Sequence, residues 1–154
     1  YSTGYYMPSV IRENLQVLIG IDVSGSISQS EYNEFMTEIV SMARGFTQLK
    51  MRVIFWATHV DERDDIEVYG NGIDTLMEHK IHNSGGTEMS CFARYVQDKS
   101  YNTPVVIMFT DGFIENDPQL VPARHLFVLP KNNSPEIVQK YGEVCSLSDI
   151  EKGS

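Results

Sequence analysis

The chain is short of the residues that mark stapled, membrane-spanning or nucleic-acid-binding proteins. It has two cysteines, Cys91 and Cys145, in 154 residues. That is too few for a disulfide framework, so a hydrophobic core must hold the fold. No apolar run approaches the ~20 residues that a membrane span needs, and the first residues do not join a basic region to an apolar one as a secretory signal does. With so little cysteine, these features set the expectation of a reducing, cytoplasmic compartment. Basic residues are also scarce: 12 Lys and Arg stand against 21 Asp and Glu, a formal charge of −9. A nucleic-acid surface needs clustered Lys and Arg, so cations or a basic partner face suit this chain better. It has no internal repeat, no low-complexity tract and no His-Glu-x-x-His peptidase helix. Gly20 and Gly25 do not supply the Gly-x-Gly-x-x-Gly spacing that brings backbone to a dinucleotide pyrophosphate. The opening at Tyr1 without a methionine is read as that of a piece of a longer protein.

What is present is an ordinary globular composition, 42% apolar and 21% charged, enough for one domain. Residues 1–15, with Gly4, Pro8 and mixed charges, read as a lead-in to a domain at 16–150. That domain is organised around the run from Leu18 to Ser28. Residues 16–21 read as a buried strand, and Asp22, Ser24 and Ser26 follow at i, i+2 and i+4. In an extended segment alternate side chains point the same way, so one carboxylate and two hydroxyls converge, with Gly25 leaving the backbone free to turn. Carboxylate and hydroxyl oxygens form a hard ligand set suited to Mg²⁺, Mn²⁺ or Ca²⁺. Three ligands are too few, and the others must come from elsewhere in the chain.

Downstream, Ser28 or Ser30 is placed to cap a helix with Glu31 and Glu34 in its first turns. Tyr32, Phe35, Ile39, Met42, Phe46 and Leu49 recur at helical spacing and predict one apolar face. Residues 51–57 read as a second buried strand, which implies a right-handed parallel crossover from the first. Residues 61–65 read as a polar, solvated turn, and 66–69 as a short edge strand. The stretch 73–81 is ambiguous: a helix with Leu76 and Met77 inward, or a helix leading into an extended piece. Asn83 to Glu88 is a glycine-permitted turn that delivers the Thr87 hydroxyl, ahead of a helix with Met89, Phe92, Ala93 and Val96 inward. Residues 104–109 have no polar alternation and are expected at the sheet centre, ending in Thr110-Asp111-Gly112. A strand at 125–129, a short helix at 135–141 and a last strand at 144–147 complete the pattern.

The fold class that follows is α/β, a Rossmann-like open, mostly parallel sheet flanked by helices. In such sheets sites form outside the carboxyl ends of the strands where strand order reverses. With the first strand central, between 51–57 and 105–109, the segments bearing Asp22, Ser24 and Ser26, Thr87, and Asp111 meet at that edge. Two carboxylates and three hydroxyls around a divalent ion leave a coordination position for water or an incoming carboxylate.

Asp22-Val-Ser24-Gly-Ser26, with Gly85-Gly86-Thr87 and Phe109-Thr110-Asp111-Gly112, resembles a von Willebrand factor A-type domain carrying a metal-ion-dependent adhesion site, over about residues 16–148. The resemblance implies direct metal ligation by Ser24, Ser26 and Thr87, and roles partly through water for Asp22 and Asp111. Within the family, the short core and the Gly-Gly-Thr turn are most similar to bacterial C-terminal domains of metallopeptidase-like proteins. Their relatives are paired with MoxR-type AAA+ ATPases, which implies such a partner here. The chain departs from the family at Glu88, where aspartate is commoner.

Other residues are read more plainly. His79 and His82 are three apart but have no third local ligand for zinc, so they read as surface histidines. His59, Glu115 and Asp117 are placed at the rim of the metal face. Cys91 reads as packed against the sheet, without the basic partner a nucleophile wants, and Trp56 as core. The expected function is a non-catalytic, Mg²⁺-dependent protein-binding module that captures a partner's carboxylate. The alternative is a Mg²⁺-dependent phosphoryl-transfer enzyme with Asp22 as nucleophile, although no suitable lysine accompanies it.

Overall fold

The computed structural model describes residues 13–14, 17–45, 48–130 and 135–147. Its strands are β1 (Glu13–Asn14), β2 (Val17–Asp22), β3 (Lys50–Trp56), β4 (Val60–Tyr69), β5 (Tyr101–Asn102), β6 (Val105–Phe109), β7 (Arg124–Leu129) and β8 (Glu143–Ser146). Its helices are α1 (Gln29–Gly45), α2 (Asp74–Met77) and α3 (Ser90–Asp98), with 3-10 turns at Gly70–Gly72 and Val138–Lys140.

Six strands form one sheet in the order β4-β3-β2-β6-β7-β8, and β1 pairs with β5 as a separate parallel ribbon. Only the β3–β4 pairing in the large sheet is antiparallel. The apolar β2 is therefore central, as expected, with Gly20 opposite Ile54 on β3 and Met108 on β6. Chain order reverses between β2 and β6, so the ends of these two strands flank the switch point.

Alternation along the strands divides the core in two. Leu18, Ile54, Trp56, Met108 and Phe127 pack with Phe92 and Val96 of α3 on one face. Ile19, Ile21, Val53, Phe55 and Phe109 pack with Phe35 and Ile39 of α1 on the other. Gly20 is a close-approach position: a Cβ there would lie 2.7 Å from Met108 Sδ and 2.9 Å from Phe92 Cε1. The missing side chain lets α3 settle onto the sheet.

Helix α1 begins in a reciprocal cap. The Glu31 N–H donates to Ser28 Oγ at 3.1 Å and the Ser28 N–H donates to Glu31 Oε1 at 2.9 Å. The helix ends at Gly45, short of the predicted Leu49, which packs partly buried just ahead of β3. Gly45 is a poor helix former, and the chain must reverse within a few residues to enter β3. Phe46 lies outside the described residues.

The acidic run is the main correction. Residues 61–65 belong to β4, which starts at Val60 and returns along β3 after a tight turn closed by the Ala57 N–H on His59 O at 3.2 Å. The sheet tolerates so many charges because most are paired. Arg52 of β3 bonds Asp65 at 2.7 Å and Glu67 at 3.1 Å, Arg63 holds Asp61 at 2.7 Å, and Lys99 reaches Glu62 at 2.7 Å. Asp64 is fully buried. In the ambiguous 73–81 stretch only the single turn of α2 is helical; Leu76 points inward, but Met77 is 57% exposed. The helix expected at 135–141 shortens to the 3-10 turn around buried Val138.

Candidate functional site

At the switch point the last residue of β2 and the residues just past β6 are stitched together. The Asp22 side chain is fully buried. Its Oδ1 accepts the Ser24 N–H at 2.9 Å, and its Oδ2 accepts the Thr110 hydroxyl at 2.8 Å. Ser24 and Ser26 share a hydrogen bond between their hydroxyls at 3.0 Å, and the Ser26 side chain also bonds Asp111. Asp111 Oδ1 accepts the Phe113 N–H at 3.1 Å. Asp22, Ser24, Ser26 and Asp111 thus form one continuous polar network.

Thr87 arrives on a separate loop. The Gly25 N–H donates to Gly85 O at 2.9 Å, which ties that loop to the Asp22–Ser26 turn, and the Glu88 N–H donates to Ala57 O at 2.9 Å on its other side. Gly85 has φ +135°, a conformation that favours glycine. Gly25 does not have a positive φ, and a Cβ there would meet only Gly85 O at an ordinary 3.8 Å. The feature that singles out Gly25 is its backbone link between the loops. The Thr87 hydroxyl is part of no hydrogen bond among the described residues and is half-buried.

The electrostatics are unusual for two carboxylates so deep in a protein. Burial pushes Asp22 up to about 6, against the hydrogen bonds from Ser24 and Thr110, and nearby Asp111 adds to the rise. Burial likewise raises Asp111. Neither has an ion-pair partner among the described residues. Buried charges are ordinarily paired or bound to metal, so a hard divalent cation fits this donor set: two carboxylates at the end of the sheet, and hydroxyls on the adjoining loops.

Thr110 is the residue that sequence reasoning missed. It sits inside the Thr-Asp-Gly motif but had no assigned role, and it is the direct link from β6 to Asp22. Glu115 moves the other way, from expected rim to structural cap. Its carboxylate accepts the N–H groups of Met89 at 2.8 Å and Ser90 at 2.9 Å and the Ser90 hydroxyl at 2.7 Å. That arrangement satisfies the start of α3. Asp117 is engaged by the Tyr141 hydroxyl at 3.3 Å. Phe113, 57% exposed, stands beside Asp111 at the mouth of the site. Glu88 pairs with Arg94, and exposed His59 lies in the β3–β4 turn. Cys91 is buried, which pushes its thiol up to about 12, and Trp56 is core, its indole N–H donating to Met108 Sδ at 3.0 Å.

A second cluster shares no residue with this network. Asp64 of β4 meets the two histidines that lacked a third ligand in the sequence: His79 Nε2 is 2.8 Å and His82 Nδ1 is 3.1 Å from Asp64 Oδ1. The missing partner is 15 residues upstream of His79, on a strand that reads locally as a loop.

Comparison with known structures supports the architecture. The chain is similar to proximal thread matrix protein 1 from the mussel byssus, at 13% identity and a TM-score of 0.62, over 92% of this chain and 46% of that one. This chain therefore spans about half of that protein's length. It is also similar to a von Willebrand factor type A structure from Catenulispora acidiphila, at 16% identity and a TM-score of 0.55, over 88% of this chain and 38% of that one. An aerotolerance-related membrane protein from Bacteroides fragilis NCTC 9343 aligns at 11% identity and a TM-score of 0.54, over 75% of this chain and 67% of that one. At these identities the likeness is one of fold. No curated protein matches the sequence. The model of the VWA-like domain family DUF2201 matches residues 17–148, from β2 to just past β8, and with the sheet order and the switch-point geometry it places this chain in that family.

Proposed function

We propose that this domain is a non-catalytic protein-binding module that uses a divalent cation, Mg²⁺ by preference, to capture a carboxylate on its partner. The observation that carries this reading is the hydrogen-bonded convergence of Asp22, Ser24, Ser26 and Asp111 at the switch point, with both carboxylates buried and neither ion-paired among the described residues. Ser24, Ser26 and Thr87 are the hydroxyls that would hold the ion, and Asp22 and Asp111 would balance its charge. Mg²⁺ supplies a Lewis-acidic position that an acidic side chain of another protein can occupy. Membership of the VWA-like family supports a protein-interaction role in general terms. Exposed Phe113 beside the site offers apolar contact to whatever docks there. The partner class implied by the resemblance to metallopeptidase-associated domains is a MoxR-type AAA+ ATPase in the bacterial cytoplasm.

The phosphoryl-transfer alternative has weaker support. Asp22 has its two oxygens engaged by Thr110 and by the Ser24 backbone and is fully buried, a poor stance for a nucleophile that must meet phosphorus in line.

Isothermal titration of metal-stripped protein with Mg²⁺ and Mn²⁺, beside Asp111→Ala, tests the proposal. Saturable one-site binding lost in the variant is expected, and Mg²⁺-dependent capture of an acidic partner should be lost with it. Equal Mg²⁺ affinity in wild type and variant would overturn the assignment.

A further inference from the structure

We infer that Asp64, His79 and His82 form a second metal site, built for a borderline ion such as Zn²⁺ and independent of the oxygen-only cluster at the switch point. The carboxylate comes from the edge strand β4, and the imidazoles come from the stretch that follows α2. One ligand atom from each of the three lies within 4.8 Å of the others, and no second group of His, Cys, Asp or Glu meets that condition among the described residues.

The distances argue for an ion. Two ring nitrogens converge on one oxygen, Asp64 Oδ1, at 2.8 and 3.1 Å, and the His82 backbone N–H reaches the same atom at 2.9 Å. Tetrahedral zinc, with bonds near 2.0 Å, sets its ligand atoms about 3.3 Å apart. The two nitrogen–oxygen distances fall a few tenths of an ångström short of that spacing, and the two ring nitrogens lie within 4.8 Å of each other. A metal would replace ring protons that now crowd one acceptor.

Surrounding contacts hold the ligands in place, as outer-shell partners do at metal centres. The His82 N–H also reaches Asp64 Oδ2 at 3.0 Å, and the His79 ring stacks on Phe55 at 5.5 Å between centroids. The Asn83 backbone also bonds the Asp64 carboxylate, fixing it where the two imidazoles converge. The His82 side chain is 37% exposed, which leaves water free to fill the fourth position. Asp61, near His82, is committed to Arg63 at 2.7 Å and is not needed as a ligand.

Two imidazoles and one carboxylate suit zinc, whereas Mg²⁺ is served by the oxygen donors elsewhere. The ion would clip β4 to the irregular stretch that follows α2, with His82 three residues before Gly85 and the loop that carries Thr87.

The test is titration of metal-stripped protein with Zn²⁺ at saturating Mg²⁺, with Co²⁺ visible absorption as a report on four-coordinate geometry. Wild type, His82→Ala, His79→Ala and Asp111→Ala are compared. One equivalent of Zn²⁺ is expected to bind wild type and Asp111→Ala alike. Removing a ligand in either histidine variant should weaken zinc at least about 100-fold, the upper end of what an outer-shell change costs. Because His82 is partly exposed, its variant should keep the wild-type circular dichroism and Mg²⁺ affinity. Absence of saturable Zn²⁺ binding in wild type would overturn the proposal. So would zinc affinity that is unchanged in both histidine variants, or that disappears in Asp111→Ala.

Discussion

The two side-chain clusters of this domain were assembled in opposite ways. At the switch point, Asp22, Ser24 and Ser26 are neighbours in sequence, delivered by one strand end, and β6 adds Thr110 and Asp111 beside them. At the sheet edge, Asp64 is separated from His79 and His82 by the 3-10 turn and α2, and the three meet only because β4 folds back along β3. The first cluster sets hydroxyls around two buried acids, Ser24 and Thr110 buried with them and Ser26 exposed. In the second, the acid is itself an anchor, accepting backbone N–H groups of the segment it holds. Both clusters are knit by hydrogen bonds: Asp22 accepts the Ser24 N–H and the Thr110 hydroxyl, and Asp64 accepts the His82 N–H and meets both imidazoles.

If that contrast is right, the largest loss of stability should come from the edge. Asp64→Ala strands the His82 N–H and the His79 ring, and is expected to cost about 3 kcal/mol in metal-free protein, read by urea unfolding. A value close to zero would remove the distinction between the clusters. Ser24→Ala should behave in the converse manner: Mg²⁺ affinity falls at least about 100-fold, while the unfolding midpoint stays close to wild type. Thr110→Val sits between them. It keeps the shape but removes the hydroxyl that donates to buried Asp22 Oδ2 at 2.8 Å, a charge-assisted bond worth about 2 kcal/mol, so both stability and Mg²⁺ binding should fall. Glu115→Ala removes the cap of α3 and should cost about 1 kcal/mol, with Mg²⁺ affinity kept; a lost Mg²⁺ site would instead make Glu115 part of the first cluster. The smallest effect is on Cys91. Burial holds its thiol at about 12, so alkylation at pH 8 should be slow in the folded protein and should follow global unfolding. Since a raised thiol value leaves little thiolate below pH 12, raising the pH from 7 to 9 should expose no fast phase at this residue.

Much of the fold was legible in the residues. Strand β6 is a continuous apolar run, and β2, β3 and β7 each carry an apolar stretch, at 17–21, 53–56 and 126–129, that places them inside a parallel sheet. The inward residues Met89, just ahead of α3, and Phe92, Ala93 and Val96 within it were read correctly from spacing, and all are about 1% exposed. The edge was not legible. Residues 61–65 carry charge at every position and look like a loop, because local composition does not register that Arg52 lies across the ladder to pair with Asp65 and Glu67. For the same reason Glu115 read as a rim acid, when its partners are the backbone N–H groups at the start of a helix 25 and 26 residues earlier.

By itself the sequence determined the α/β architecture and the grouping of Asp22, Ser24 and Ser26, because strand periodicity and the Asp-x-Ser-x-Ser spacing act over a few residues, where backbone geometry alone dictates which side chains face together. The tertiary structure decided what long-range pairing decides: that Thr110 links β6 to Asp22, that β4 runs the length of the acidic segment, and that Asp64 becomes the third member of a histidine pair. Those outcomes depend on which strands become neighbours, and burial then fixes the partners that each charge must find.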